Sequence, residues 1–198
     1  MITIYLDSSN RDMAVGIGDE NKLIDFTIYE AWQCQSEVMV PELDKLLNKH
    51  NISREDIQGI VVANGPGSYT GVRIAVTIAK TISSCLKCPI IPVSSLQVLK
   101  DNEHPSICLI NARSKRSYIG VYQGAKCLLE DQIMTNDKVI EFIKEHPDYS
   151  ICGDTAYLEI EGIKSNVIEQ MFNLKKDLKP VQNPLALSPV YMKDQHGN

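Results

Sequence analysis

Gly65-Pro66-Gly67-Ser68-Tyr69-Thr70-Gly71-Val72-Arg73 joins an apolar run, Ile60-Val61-Val62-Ala63, to a helical pattern reaching from Val72 to Leu86. The order reads as strand, glycine-rich turn, helix start. Glycine adopts positive φ at little cost, and proline fixes its own φ, so the stretch suits a sharp reversal. Ser68 and Thr70 are N-cap candidates, because a hydroxyl oxygen can accept from first-turn N–H groups. Those N–H groups also make a helix start a place where an anion can bind. The stretch lacks the Gly-Lys-Ser/Thr ending of a Walker A loop. Three readings stay open: a turn with its cap, an anion site, or a surface presented to a partner.

The helix after the turn narrows the choice of architecture. At about 100° per residue, Arg73, Thr77, Lys80, Ser84 and Lys87 fall in one polar stripe. Val72, Ile74, Ala75, Val76, Ile78, Ala79, Ile82, Cys85 and Leu86 fill an arc of roughly 200°, about twice what one core-facing stripe needs. Ala75, Ala79 and Ser83 form a row of small residues that lets another helix approach. Such a helix is buried on two sides of its own domain or pairs with another chain.

Composition sets outer bounds. The chain has 198 residues, 43% hydrophobic and 23% charged, enough for one domain or two small lobes. The net charge of −5 and the absence of a clustered basic run argue against strong independent binding of nucleic acid. No apolar stretch approaches membrane-spanning length, and the first residues lack the pattern of a signal peptide, so a cytoplasmic protein is expected. The six cysteines are scattered, most of them in apolar runs, and read as reduced core thiols. Cys85 and Cys88 have CxxC spacing without a second pair, so no metal site is expected.

In order, Ile2–Leu6, Met13–Gly18 and Lys22–Glu30 read as a three-stranded meander. Asp7 stands at the mouth of the first hairpin. There it could orient a water or hydrated metal, or simply close an Asx-turn. A helix capped by Ser36 runs to His50, with a kink or late start expected at Pro41. Gly59–Ala63 is a strand, then come the turn and its helix, and Pro89–Val93 is a short edge strand. A brief helix, Leu96–Lys100, precedes the polar linker Asp101–Ser106, which divides lobes of residues 1–100 and 101–198. After it, strands at Ile107–Asn111, Ser117–Gln123 and Lys126–Met134 lead to a helix at Lys138–Glu145. A strand at Tyr149–Cys152 and a helix from Asn166 follow, and Pro189–Met192 is strand-like. The order strand-strand-strand-helix-strand-helix thus occurs twice without sequence similarity, which is an internal structural duplication.

A doubled βββαβα with a short acidic first hairpin resembles the two-lobed, ribonuclease H-like fold of the actin-like ATPase (ASKHA) superfamily. Within it, Gly65, Pro66, Gly67, Ser68, Tyr69, Thr70, Gly71, Val72 and Arg73 closely resemble the signature loop of the TsaB (YeaZ) family. Leu6-Asp7-Ser8-Ser9, Ser36-Glu37 with Pro41, Val93-Ser94-Ser95-Leu96, Asn111-Ala112-Arg113 and Ser188-Pro189-Val190-Tyr191-Met192-Lys193 are similar to further family segments in the same order. The likeness is weakest over residues 155–185.

The resemblance implies work on threonylcarbamoyladenosine (t6A) at position 37 of tRNA, as a non-catalytic partner of the TsaD transferase. TsaD takes the group from threonylcarbamoyl-AMP, the product of TsaC, and TsaE is an ATPase that joins the assembly. Family members pair with TsaD, or with themselves, through N-lobe helices, so tRNA would be met only through the complex. That puts Ser36, Glu37, Met39, Val72, Ala75, Val76, Ala79 and Ser83 on the expected partner surface. The superfamily's nucleotide cleft would be vestigial here, formed by Asp7, Ser8, Ser9, Asn111 and Arg113, and no cofactor or metal is expected. Gln35 stands where many relatives have histidine and Asn111 where they have aspartate. His50, His104, His146 and His196 lack the HxxxH spacing of TsaD-like metal sites. Two rival readings are an actin-fold ATPase or kinase using Asp7 and the Gly65–Gly71 loop, and a direct tRNA binder using Arg113, Lys115 and Arg116.

Overall fold

Strand alternation decides what lies on each side of the first sheet. Ile4 and Leu6 face one way and Tyr5 the other, and all three are fully buried. Such a strand needs cover on both faces, and the computed structural model, which describes residues 1–192, supplies it. Strands β1 (Ile2–Asp7), β2 (Asp12–Gly18) and β3 (Leu23–Glu30) form the meander. Helix α1 (Gln35–Lys49), β4 (Ile57–Ala63), α2 (Tyr69–Leu86) and β5 (Ile90–Val93) follow. The five-stranded sheet has the order β3-β2-β1-β4-β5, with β1 antiparallel to β2 and parallel to β4.

The second unit repeats that plan. Strands β6 (Ser106–Arg113), β7 (Arg116–Gln123) and β8 (Lys126–Thr135) are followed by α3 (Asn136–Glu145), β9 (Ser150–Gly153) and α4 (Val167–Leu174). Its four-stranded sheet has the order β8-β7-β6-β9, again with an antiparallel meander and a parallel fourth strand. The duplicated βββαβα of the actin-like fold is therefore present in both element order and strand order.

Each face of the first sheet has its own core. Ile4, Leu6, Ile60 and Val62 pack with α1 and α2 through Met39, Leu43, Val72, Ala75, Val76 and Ala79. Tyr5, Val61 and Ala63 pack on the other face with Ile168, Met171 and Leu174 of α4. The unit expected at residues 101–198 thus lends its last helix to the first sheet. The chain after α4 also returns there. The Val181 N–H donates to the Ile90 carbonyl at the sheet edge, and Leu187 is buried in the α1/α2 core.

Several local expectations need correcting. Ser36 lies inside α1 rather than capping it, and the helix runs unbroken through Pro41. Pro189–Met192 takes no strand conformation, and Lys193 and His196 fall outside the described residues. Of the cysteines, Cys88, Cys108 and Cys152 are buried while Cys34, Cys85 and Cys127 are exposed.

Ala79→Arg places a charge in a site with no accessible surface, against the sheet of its own lobe. We expect the isolated chain to lose about 4 kcal/mol or more of stability. Melting followed by circular dichroism tests this, and a cooperative wild-type-like melt contradicts the packing described. At Gly71, an added Cβ would lie 1.9 Å from the Ser8 carbonyl oxygen. Gly71→Ala should cost about 2 kcal/mol or more in chemical denaturation.

Candidate functional site

The glycine-rich turn is held by hydrogen bonds from three separate parts of the chain. The Ser68 N–H donates to the Ser9 carbonyl at 2.7 Å, and the Ser8 hydroxyl donates to the Gly71 carbonyl at 2.8 Å. The Gly65 N–H donates to the Ser95 hydroxyl at 3.1 Å, and the Ser95 N–H returns to the Gly65 carbonyl at 2.9 Å. The Val190 N–H donates to the Asn64 carbonyl at 2.7 Å. Gly65 has φ +110°, and a side chain there would strike the Val190 carbonyl oxygen at 2.6 Å. Ser68 is the N-cap, accepting from the Gly71 N–H at 3.3 Å, while Thr70 lies within the helix.

Asp7 has the turn role. Its Oδ1 accepts from the Ser9 N–H at 2.7 Å, an Asx-turn that closes the first hairpin. The carboxyl is buried, and burial pushes its pKa up despite the Ser9 hydrogen bonds. Asp7, Ser8 and Ser9 do not line the neighbouring cavity, whereas Asn111 and Arg113 do. The five expected cleft residues therefore divide into a buried brace and an exposed rim. Asp7 Oδ1 is thus engaged by the backbone, and the carboxyl is buried beside the cavity rather than in its wall. Among the described residues no group of three or more His, Cys, Asp or Glu is placed to hold a metal.

The cavity itself, about 630 Å³, opens between the two sheets. Its walls come from the β1–β2 turn (Asn10, Arg11), the β3–α1 connection (Trp32, Gln33), the first residue of α1 (Gln35), the α2 start and the end of β6 (Asn111, Arg113). Tyr118 and Asp154 complete it. The Arg11 guanidinium lies 5.5 Å from the centre of the Trp32 ring. The buried Gln35 amide donates to the Asn10 and Arg11 carbonyls, fixing the turn that carries Arg11. Arg113, Ser114 and Lys115 all have positive φ, and Asn111 Oδ1 accepts from the Arg113 N–H at 2.8 Å. At the α2 start, Tyr69 stacks on Tyr191 at 4.6 Å, and the Arg73 guanidinium lies 5.4 Å from the Tyr69 ring centre.

Sequence reading missed Arg11, Trp32, Tyr118 and Asp154. Trp32 is the chain's single tryptophan and follows a strand ending at Glu30, which was the available signal. Arg11 and Tyr118 have no such marker, because only tertiary contact brings their strands to one opening.

The helix face also differs from expectation. Met39, Val72, Ala75, Val76, Ala79 and Ser83 are all buried in their own lobe and present almost no accessible surface in the single chain. The small-residue row lets α2 sit close to the sheet. Only Ser36 and Glu37 of the expected set are exposed. Ile74, Ile78 and Ile82 lie outward of that row at i, i+4 and i+8 and stay partly accessible, and Val40 of α1 is 50% exposed.

The comparisons with known proteins agree with this architecture. Residues 30–177 match the sequence model of the family described as "TsaD: tRNA N6-adenosine threonylcarbamoyltransferase". The "tRNA threonylcarbamoyladenosine biosynthesis protein TsaB" of Bacillus subtilis is 37% identical over 154 residues, covering 73% of this chain and 67% of that protein. A Pseudomonas aeruginosa crystal structure, titled as an uncharacterized protein with similarity to peptidase YEAZ, superposes with TM-score 0.83. It is 19% identical and covers 97% of this chain and 99% of its own. A second structure, "YeaZ from Pseudomonas aeruginosa", gives TM-score 0.79 at 18% identity, covering 96% of this chain and 99% of its own. By the extent of these matches, the chain belongs to the TsaB family of tRNA threonylcarbamoyladenosine biosynthesis proteins.

Proposed function

We propose that this chain is a non-catalytic partner subunit of a TsaD-type transferase in t6A modification of tRNA, pairing through α1 and α2. The observation that carries the reading is the outer ridge of α2. Ile74, Ile78 and Ile82 form a stripe at helical spacing that keeps part of its apolar surface in solvent, and Val40 of α1 is also exposed. A stripe of that kind is suited to a second helical pair. The family match supports the pathway, and the burial of Asp7 outside the cavity wall supports a role without phosphoryl transfer. A TsaE-type ATPase would join the pair, and self-pairing would use the same ridge. With a net charge of −5, tRNA would be met through the complex. No helix among the described residues is long and apolar enough to cross a membrane, consistent with a cytoplasmic assembly.

Size-exclusion with light scattering, on this chain alone and mixed with its own TsaD-type protein, tests the proposal. A heterodimer peak that displaces any self-associated species is expected, and a monomer indifferent to the partner would overturn it. Ile74→Glu and Ile78→Glu should leave a folded monomer by circular dichroism. Each should weaken pairing by about 2 kcal/mol, roughly thirtyfold in Kd.

Asp7→Asn separates this reading from the enzyme alternative. The folded state raises the pKa of Asp7, so it favours the protonated acid. This site's contribution to stability is greatest at low pH and is lost as pH rises above the ordinary value of 3.8. Asparagine removes that loss while keeping an oxygen for the Ser9 N–H. The stability of Asp7→Asn relative to wild type should therefore be highest at neutral pH and fall as pH approaches 3.8. Pairing should be unchanged. Loss of a measured ATP turnover in this variant would favour the enzyme reading.

A further inference from the structure

We propose that Cys108 and Cys152 form a redox switch: on meeting a peroxide, the two thiols close to a disulfide that ties β9 to β6. The two residues are register partners on neighbouring parallel strands. Such partners lie about 4.8 Å apart, inside the roughly 4.4–6.8 Å that a disulfide spans between its Cα atoms. Both side chains point to the same face of the sheet. They share one buried cluster with Leu96, Ile110 and Tyr122, while the preceding pair, Ile107 and Ile151, packs on the opposite face. Neither thiol has accessible surface. Cys34, Cys85, Cys88 and Cys127 lie outside that cluster, so the pair stands apart from the other thiols.

The surroundings suit a pair that rests reduced and closes when it is uncovered. Burial pushes both thiols up, and the protonated thiol is a poor nucleophile. At Cys152 the Ser106 hydroxyl, the Asp101 N–H and the Lys100 ammonium work against burial. Lys100 also pulls Cys108 down, and this buried ammonium is hydrogen-bonded to the Gln170 and Asn102 side-chain oxygens. A thiolate formed at Cys152 therefore has a cation nearby. Access is through β9. It is a four-residue edge strand. Its outer side meets an isolated bridge to Ile163, held by the Ile163 N–H to the Ile151 carbonyl at 2.8 Å and the Gly153 N–H to the Ile163 carbonyl at 3.0 Å. Short edges of this kind open locally without global unfolding. The step balances. The Cys152 thiolate attacks a peroxide oxygen, the O–O bond breaks, and a sulfenic acid forms as hydroxide leaves with the thiol's proton as water. The Cys108 sulfur then attacks the Cys152 sulfur, the S–S bond forms, and a second water leaves with the Cys108 proton. The thiols lose two electrons and the peroxide gains them. The new bond fixes the strand end that leads through Gly153 to Asp154 in the cavity wall, so the oxidation state is read where the two units meet.

Cys34, Cys85 and Cys127 are exposed, so a full chain with all three changed to serine keeps its core and retains Cys88, Cys108 and Cys152. That chain, fully reduced, would be treated with hydrogen peroxide, unfolded in iodoacetamide and analysed by mass spectrometry. Cys108 and Cys152 are expected to escape alkylation while Cys88 is alkylated, with a peptide joining the pair and dithiothreitol restoring both thiols. Adding Cys152→Ala should leave Cys108 open to alkylation. Hydrogen exchange reads the effect on the strand. The Gly153 and Asp154 N–H groups, bonded to the Ile163 and Leu109 carbonyls, should exchange about tenfold more slowly in the oxidised chain, because the crosslink suppresses the opening of β9. Alkylation of both Cys108 and Cys152 after peroxide would overturn the proposal. So would a crosslink to Cys88, or oxidation to sulfinic acid without a crosslink. Unchanged exchange at Gly153 and Asp154 would overturn the switch. None of these readouts depends on the TsaD-type partner, so this proposal and the pairing proposal fail separately.

Discussion

The closest constraint in the molecule is backbone against backbone, where the glycine-rich turn crosses the end of the first hairpin. A Cβ at Gly67 would lie 2.4 Å from the Ser9 carbonyl oxygen, and one at Gly71 would lie 1.9 Å from that of Ser8. No side chain fits at either place. The approach allows the Ser68–Ser9 and Ser8–Gly71 hydrogen bonds, and they fix where α2 begins relative to β1. From that start, α2 lays Val72, Ala75, Val76 and Ala79 on the sheet. The same turn receives the returning tail at Asn64 and Gly65. One crossing point therefore sets the helix, the sheet it covers and the course of the chain's end.

Much of this was legible in the sequence because it is periodic or stereochemically unusual. Three glycines and a proline between an apolar run and a helical pattern have few solutions, and the cap, Ser68, was one of two candidates with Thr70. The duplicated element order was legible because each strand and helix carries its own period. The inward direction of Ala75, Ala79 and Ser83 was not. A row of small residues permits a close approach to anything flat or helical, and a helical wheel does not say whether a sheet or another chain provides it. Asp7 was legible as an Asx-turn candidate, but its burial depends on the glycine-rich turn far along the chain. The cavity wall was hardest to read. Arg11, Trp32, Tyr118 and Asp154 meet only because two sheets face each other, and no local pattern encodes that meeting.

The junction between the two units sets buried polar groups beside an apolar cluster of Leu96, Cys108, Ile110, Tyr122 and Cys152. The Ser94 hydroxyl donates to Asp131 at 2.5 Å, and the Tyr122 hydroxyl donates to the same carboxylate, joining the end of β5 to the second sheet. Burial raises the pKa of Asp131 while those two donors pull it down. The buried Lys100 ammonium reaches Gln170 and Asn102 rather than a carboxylate, and burial lowers its pKa. Buried polar groups of this kind specify geometry more than they add stability, since each is costly unless its partners stay in place.

The over-wide apolar arc of α2 can now be apportioned. Its inner part is spent on the sheet. One flank is covered by the tail, where the Lys80 ammonium donates to the Leu187 carbonyl at 3.0 Å and Leu187 itself is buried. What remains is the ridge of Ile74, Ile78 and Ile82, narrower than the arc and lying outward of the small-residue row. The chain's own return thus takes up part of the helix surface. Total apolarity therefore overstates the apolar surface that the single chain leaves accessible. The surface left after intramolecular cover is subtracted is the one a second chain can reach.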